Sequence, residues 1–296
     1  MKQKLIVILG PTATGKSDCA VTIAKKYNGE IVSADSRQVY TGLNLGTGKV
    51  TKKEMGGIPH HLLNVLSPKH QYTVADFVRD THNAFVPIYR YKRIPILVGG
   101  TGQYIDTVVY GLQVPEVPPN KKLRTRLEKF STEKLFSILE KKDSARAKTI
   151  DTHNKRRLIR ALEIVDALGK VPRTKKKNLY SPLFIGLNLP KEKLQDNIHK
   201  RLIKRLRLGL IAEVQNLHKQ GLSWKRMEEL GLEYRYVSRY LQKKLTKQEM
   251  LVQLEHAIIQ YAKRQITWFK RNEDIMWFKP TDTKKILKTV EHFLAS

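Results

Sequence analysis

Apolar residues follow two rhythms along this chain. In the first 115 residues, short apolar runs alternate with segments of helical period. KLIVIL, EIVSAD and RIPILVGG are brief, rich in β-branched residues and bounded by glycine or polar residues, which predicts strands. SDCAVTIAKKY and VADFVRDTHNAFVPIYRYK repeat their apolar positions every three or four residues, which predicts helices. Strands that are apolar throughout and alternate with helices predict a parallel sheet covered on both faces. From VPEVPPNKK onward the rhythm changes, and Pro115, Pro118 and Pro119 mark a boundary. LRTRLEKF and HNKRRLIRALEIVDALGK then read as helices, and the run RTKKKN at 173–178 closes that segment. SPLFIGLNL, 181–189, reads as a strand returning to the sheet. The remainder is helical: KEKLQDNIHKRLIKRLRL, LIAEVQNLHKQ ending at Gly221, and EMLVQLEHAIIQYAKRQITWFKR. In the last of these, Leu251, Leu254, Ile258, Tyr261 and Phe269 share one face. His256, Gln260, Lys263, Thr267 and Lys270 share another. The expected division is a catalytic core of residues 1–115 and 181–296, with a helical insertion at 116–180.

Charge adds a partner to this picture. The chain has 296 residues and a net charge of +29, from 56 Lys and Arg against 27 Asp and Glu. Residues 1–115 carry a net +7 and residues 116–296 a net +22. An excess this large, concentrated away from the first region, points to a polyanion such as RNA. One cysteine, Cys19, excludes an internal disulfide and suits a reducing cytoplasm. It reads as helix packing rather than as a nucleophile. The apolar run after Lys2 and Lys4 is only five residues long with no cleavage site before Gly10, so it is expected to be a strand and not a signal peptide. No apolar stretch approaches the roughly 20 residues of a membrane helix.

The first candidate chemistry is GPTATGKS, comprising Gly10, Pro11, Thr12, Ala13, Thr14, Gly15, Lys16 and Ser17. It fits G-x-x-x-x-G-K-[ST] between a strand and a helix, the phosphate loop of nucleotide-binding folds. The glycines let backbone N–H groups turn toward an anion, Lys16 adds positive charge, and Ser17 offers a hydroxyl to Mg²⁺. The following helix presents the positive end of its dipole. The expected fold class is therefore α/β, a P-loop NTPase-like parallel sheet flanked by helices, with the helical insertion and a helical C-terminal region. Ligands of such sheets bind beyond the carboxyl ends of the strands, where the loop, Asp35 and Thr101 all fall. The loop fixes an anion and leaves open the molecule that carries it. RIPILVGGTGQY ends without the aspartate that P-loop ATPases place on a second strand. Asp35 is the strand-end carboxylate of this region, able to hold Mg²⁺ or to accept a proton. Ser36, Arg37 and Gln38 follow it, a cluster suited to reading a nucleobase, or else an ordinary polar turn.

Eight blocks in order make a resemblance specific: GPTATGKS, SADSRQVY, LGTGK, IPHHLLNV, YTVADF, PILVGGTGQY, NKRRLIRALEI and AKRQITWF. Over about residues 4 to 271 the chain resembles the tRNA dimethylallyltransferases, also called IPP transferases. The resemblance implies that the loop cradles the diphosphate of dimethylallyl diphosphate rather than ATP. The dimethylallyl group would pass to the exocyclic amine of the adenine 3′ of the anticodon. By the same resemblance Asp35 is the general base, and Thr101 hydrogen-bonds the bridging oxygen of the leaving group. Ser36, Arg37 and Gln38 hold the target base and its neighbours. Arg156, Arg157, Arg160, Lys263, Arg264 and Gln265 contact the tRNA anticodon stem-loop. Mg²⁺ is the implied cofactor, and a cytoplasmic monomer with no protein partner the expected form. His60 and His61 follow the family pattern without metal-ligand spacing and read as structural. The chain departs from the pattern at 229–241 and at Ile258 and Ile259, both in parts expected to face RNA. Two other activities remain compatible with the residues: an isopentenyltransferase acting on free adenine nucleotides, and a small-molecule P-loop kinase.

Overall fold

The computed structural model describes residues 2–113, 115–172 and 177–296. Most of the RTKKKN run, residues 173–176, lies outside the described residues. The chain forms two compact units, one of residues 1–111 and 178–296, the other of residues 112–177. The helical unit thus begins at Leu112 and ends at Lys177, rather than running from 116 to 180.

The larger unit is built on six parallel strands in the order β3-β2-β4-β1-β5-β6. The chain runs β1 (Lys4–Leu9), α1 (Lys16–Tyr27), β2 (Gly29–Ser33), α2 (Lys52–Met55), β3 (His60–His61), α3 (Val74–Arg90), β4 (Ile94–Gly99) and α4 (Gly102–Val109). Every side chain from Leu5 to Leu9 is buried, which explains why β1 shows no polar alternation. Ile6 and Ile8 pack with Ala20, Ile23 and Ala24 of α1 on one face. Leu5, Val7, Val32 and Leu97 point the other way and are equally buried, with α3 and α4 against β2 and β4.

The smaller unit holds α5 (Lys121–Leu127), α6 (Thr132–Lys142), α7 (Ser144–Ala147) and α8 (Lys155–Leu168). Each starts at a side-chain cap, Asn120, Ser131, Asp143 or Asn154, that accepts a hydrogen bond from an N–H of the first turn. Leu135, Leu139, Leu158 and Leu162 lie in its core. Glu163 is buried there too. It accepts hydrogen bonds from the Asn120 N–H (2.6 Å), from Arg124 (2.9 and 2.7 Å) and from Arg160. Burial alone would raise its carboxyl, but these donors outweigh it and hold it down to about 2.

The larger unit resumes with β5 (Ser181–Leu187), α9 (Lys191–Arg207), α10 (Leu210–Lys219), α11 (Trp224–Leu230), α12 (Leu232–Leu241), α13 (Lys247–Phe269), β6 (Met276–Phe278) and α14 (Thr283–Ala295). β5 pairs with β1 along its length, so the strand expected to return to the sheet does so. Ile286 and Val290 of α14 join α1 over the sheet. Leu194, Ile198 and Leu202 of α9 pack on Leu254, Ile258 and Ala262 of α13. No described helix is long and apolar enough to cross a membrane.

Candidate active site

The carboxyl ends of β1, β2 and β4 open into one cavity of about 620 Å³. Its lining includes the loop from Thr12 to Ser17, the turn residues Asp35 and Gln38, the segment 44–51, Gly100, and Asn197, Arg201 and Arg205 of α9. Three motifs far apart in sequence therefore meet in one place.

The phosphate loop leaves β1 at Gly10, whose φ is 140°. A Cβ there would lie 2.3 Å from the Leu187 carbonyl oxygen, so only glycine lets the loop leave this close to β5. The loop is tied down from three directions. Thr14 Oγ1 and Lys16 Nζ donate to the Pro11 carbonyl at 2.9 and 2.6 Å. The Thr12 N–H donates to Gln265 Oε1 of α13 at 2.9 Å. From α9, Arg201 donates to Thr12 Oγ1 and Asn197 donates to the Ala13 carbonyl at 3.2 Å. Lys16 and Arg201 enter none of the described ion pairs. Burial and then the Arg201 charge push the Lys16 ammonium down to about 7, with Asp35 opposing. Burial and Arg205 likewise lower Arg201 to about 10. Two half-buried cations that line the cavity without a paired carboxylate can receive an anion that comes from outside.

Asp35 stands at the other side. Its Oδ1 accepts from the N–H groups of Arg37 (2.8 Å) and Gln38 (3.3 Å), which fixes the turn after β2. Thr101 Oγ1 accepts from the Ser36 N–H at 3.2 Å, and the Thr101 N–H donates to the Ala34 carbonyl at 3.3 Å. Burial and then the Asp35 charge raise the hydroxyl of Tyr261, on α13, to about 12. Gln38 faces the cavity and donates to the Thr47 and Gly48 carbonyls at 3.5 and 3.4 Å.

Several expected contacts are placed differently. Gln265, expected on RNA, is buried. It grips the loop through Thr12 and donates to the Gly100 carbonyl at 2.9 Å, because its position falls on the inward stripe of α13. Arg37 turns away to the end of α11, donating to the Leu230 carbonyl at 2.7 Å, where it satisfies a helix-terminal acceptor. Arg160 is committed to buried Glu163. Arg156 and Arg157 are exposed on the first turn of α8, and Lys263 and Arg264 are exposed on α13. Within the departures from the family pattern, Ile258, Glu233 and Tyr234 are buried and Glu233 pairs with Arg205 at 3.1 Å, while Ile259 is half-buried and Glu229 is exposed. His61 meets Glu30 at 2.6 Å, and His60 Nδ1 meets the Ile58 carbonyl at 2.8 Å, so each ring has a protein partner. Cys19 packs beside the sheet core, and burial with Asp18 lifts its thiol to about 12. Its role is packing, since so little thiolate forms near neutral pH.

The sequence reading missed Asn197, Arg201 and Arg205. They stand four residues apart on a predicted helix, the spacing that puts side chains on one face. A cationic face on an otherwise amphipathic helix was the available signal.

With this geometry in place, comparison with known proteins decides the family. The isopentenyl transferase family matches residues 3–67, and the IPP transferase family matches residues 38–272. The chain belongs to the IPP transferase family. A tRNA dimethylallyltransferase of Treponema denticola is 42% identical over 278 residues, covering 92% of this chain and 93% of the relative. One of Anoxybacillus flavithermus is 38% identical, covering 99% and 96%. Among solved structures, a full-length tRNA isopentenylpyrophosphate transferase of Bacillus halodurans superposes with a TM-score of 0.75 at 34% identity, covering 99% of this chain and 96% of that one. A eukaryotic dimethylallyltransferase acting on tRNA gives 0.81 at 28% identity, covering 95% and 75%. The family and its named relatives mark the chain as a prenyltransferase.

Proposed function

We propose that the protein transfers a dimethylallyl group from dimethylallyl diphosphate to the exocyclic amine of the adenine 3′ of the anticodon in tRNA, releasing diphosphate. The observation that carries this is the pairing of ends in the cavity: Lys16 and Arg201, lining it with no described ion pair, and Asp35 on the turn that also carries Gln38. The curated relatives are named as tRNA dimethylallyltransferases, which supports the same assignment.

The diphosphate lies in the loop from Gly10 to Ser17, against its N–H groups, Lys16 and Arg201. The adenine amine attacks the allylic carbon through its nitrogen lone pair. The carbon–oxygen bond to the diphosphate breaks, and the electron pair leaves on oxygen. Lys16, Arg201 and the loop amides stabilise that charge as it grows. Thr101 donates its hydroxyl proton to the departing oxygen in a hydrogen bond. Asp35 accepts the proton that the amine loses. Ser17 and the diphosphate oxygens form a donor set that fits Mg²⁺, which favours phosphate and hydroxyl oxygens with few protein carboxylates. Bound there, Mg²⁺ would neutralise leaving-group charge. Gln38 reads the adenine edge, while Arg156, Arg157, Lys263 and Arg264 hold phosphates of the stem-loop. A loop nucleotide reaches the cavity by leaving its stack, at a cost of a few kcal/mol. The protein acts in the cytoplasm as a monomer.

The test is nucleoside mass spectrometry of tRNA incubated with the protein, Mg²⁺ and dimethylallyl diphosphate, without ATP. The expected result is a five-carbon unit on the adenosine beside the anticodon. Transfer to AMP in preference to tRNA would favour the free-nucleotide transferase. Phosphoryl transfer from ATP would favour the kinase. Either result contradicts the proposal.

A further inference from the structure

Glu213 of α10 lies outside the phosphate loop and the Asp35 turn, yet its carboxylate accepts four hydrogen bonds. Its Oε2 accepts from the N–H groups of Asn44 (3.2 Å) and Leu45 (2.7 Å). Its Oε1 accepts from the Gly46 N–H (3.1 Å) and from the Tyr234 hydroxyl (2.9 Å). Three consecutive backbone amides converge on one side chain, an anion nest filled from within the protein. The segment they belong to forms a wall of the reaction cavity. No helix or strand runs through residues 41–51, so the wall's position depends on such anchors. Its fit is close, because a Cβ on Gly46 would lie 2.6 Å from the Tyr234 ring.

The same wall reaches the Asp35 turn. Gln38 donates from its side chain to the Thr47 and Gly48 carbonyls and from its backbone to Asp35 Oδ1. A continuous hydrogen-bonded path therefore runs from Glu213 through residues 44–48 to Gln38 and Asp35. None of its links touches the phosphate loop, which is held separately by Gln265, Asn197 and Arg201.

We propose that Glu213 is a positioning residue for the transfer reaction: it clamps the 44–48 wall so that Gln38 and Asp35 present themselves to the acceptor base. This rests on the role given to Asp35 under the proposed function. Glu213 meets no substrate and acts through the wall. A displacement of about 1 Å at reacting groups costs on the order of 10²-fold in rate. Glutamine cannot reproduce the clamp, since it offers one acceptor oxygen and turns an N–H₂ group toward N–H donors.

The test compares Glu213→Ala and Glu213→Gln with the parent protein in three measurements. These are kcat for prenyl transfer to tRNA, equilibrium affinity for dimethylallyl diphosphate, and hydrogen exchange at residues 44–46. Expected for Glu213→Ala are a kcat lower by about 10²-fold, unchanged donor affinity, and lost protection confined to the wall. Glu213→Gln falls between Glu213→Ala and the parent. Tyr234→Phe, which keeps the packing and removes one donor, lowers kcat by about three- to ten-fold and decides the matter if Glu213→Ala fails to fold. Unchanged kcat overturns the proposal, as does donor affinity falling in step with kcat, the mark of general loosening. If the parent transfers no prenyl group, the proposed function has failed. The clamp is then judged by exchange alone, and protection at 44–46 that survives Glu213→Ala overturns it.

Discussion

Two charged clusters, Glu163 in the helical unit and Lys16 with Arg201 in the larger one, are built in opposite ways. In the helical unit, buried Glu163 is met by Arg124, Arg160 and the Asn120 amide, and its carboxyl is held down to about 2. In the larger unit, half-buried Lys16 feels another cation, Arg201, and desolvation with that charge pushes its ammonium down to about 7. The first arrangement is complete without a ligand and holds helices together. The second has no carboxylate among its described ion pairs, a partner that the diphosphate supplies under the proposed function. A charge with its partner inside the protein marks structure, whereas a buried charge that lacks one marks a site. By that criterion Arg205, paired with Glu233, belongs to the scaffold, and Arg201, four residues earlier, belongs to the chemistry.

The largest effect is expected at Asp35. Asp35→Asn keeps an acceptor oxygen for the Arg37 and Gln38 amides, so the turn survives while the base is lost. Turnover should fall by about 10²- to 10⁴-fold with tRNA affinity unchanged. Turnover at the parent level would remove the assigned role.

Lys16 comes next. Lys16→Ala should lower turnover by about 10²- to 10³-fold and weaken donor binding in direct titration. A pH signature accompanies it. Near pH 8 the empty site holds Lys16 mostly neutral, because its ammonium lies near 7 rather than 10.5. A bound diphosphate favours the charged form, so binding takes up a proton, measurable by calorimetry in buffers of different ionisation enthalpy. In the ligand-free protein the sign for stability follows. The unfolded chain binds more protons between about pH 7 and 10.5, so this group makes stability rise with pH across that window. Proton release on donor binding would contradict the assignment.

Smaller effects are expected in the helical unit. Glu163→Gln should cost about 2 kcal/mol in thermal or urea unfolding, at the low end for a buried pair because both guanidiniums are partly exposed. The depressed carboxyl stabilises the fold above its ordinary value of 4.5, and that contribution fades as pH falls toward about 2. Donor affinity should not change. Smallest is Arg157→Ala, an exposed residue with only a 3.8 Å approach to Asp151. It should weaken tRNA binding a few-fold and lower the slope of log affinity against log salt by about 1. An unchanged slope would remove Arg157 from the RNA surface.

Much of this was legible in the sequence. β1, β2, β4 and β5 declare themselves as apolar runs, and the spacing of the motifs alone sets the loop, Asp35 and Thr101 at strand ends. β3 and β6 are two and three residues long, too short for a periodic signal. Gln265 illustrates a pattern available but not used. The buried positions of α13 run Met250, Leu254, Ile258, Ala262, Gln265 and Phe269, so helical spacing alone sets this glutamine inward. The pairing of Arg160 with Glu163 was legible in the same way, since Glu163 is one turn away on a buried face. Glu213 carried no readable signal, because its partners, three backbone amides of residues 44–46 and the Tyr234 hydroxyl, are distant in sequence.

The central claim is that the phosphate loop holds the leaving group of a prenyl donor. Its most direct test is a single-turnover experiment on the purified protein with Mg²⁺, tRNA and dimethylallyl diphosphate, following diphosphate release and prenyl-tRNA together. The expected result is one diphosphate released for each dimethylallyl group on RNA, with the same yield whether ATP is present or absent. ATP consumption without any prenyl-tRNA would contradict it.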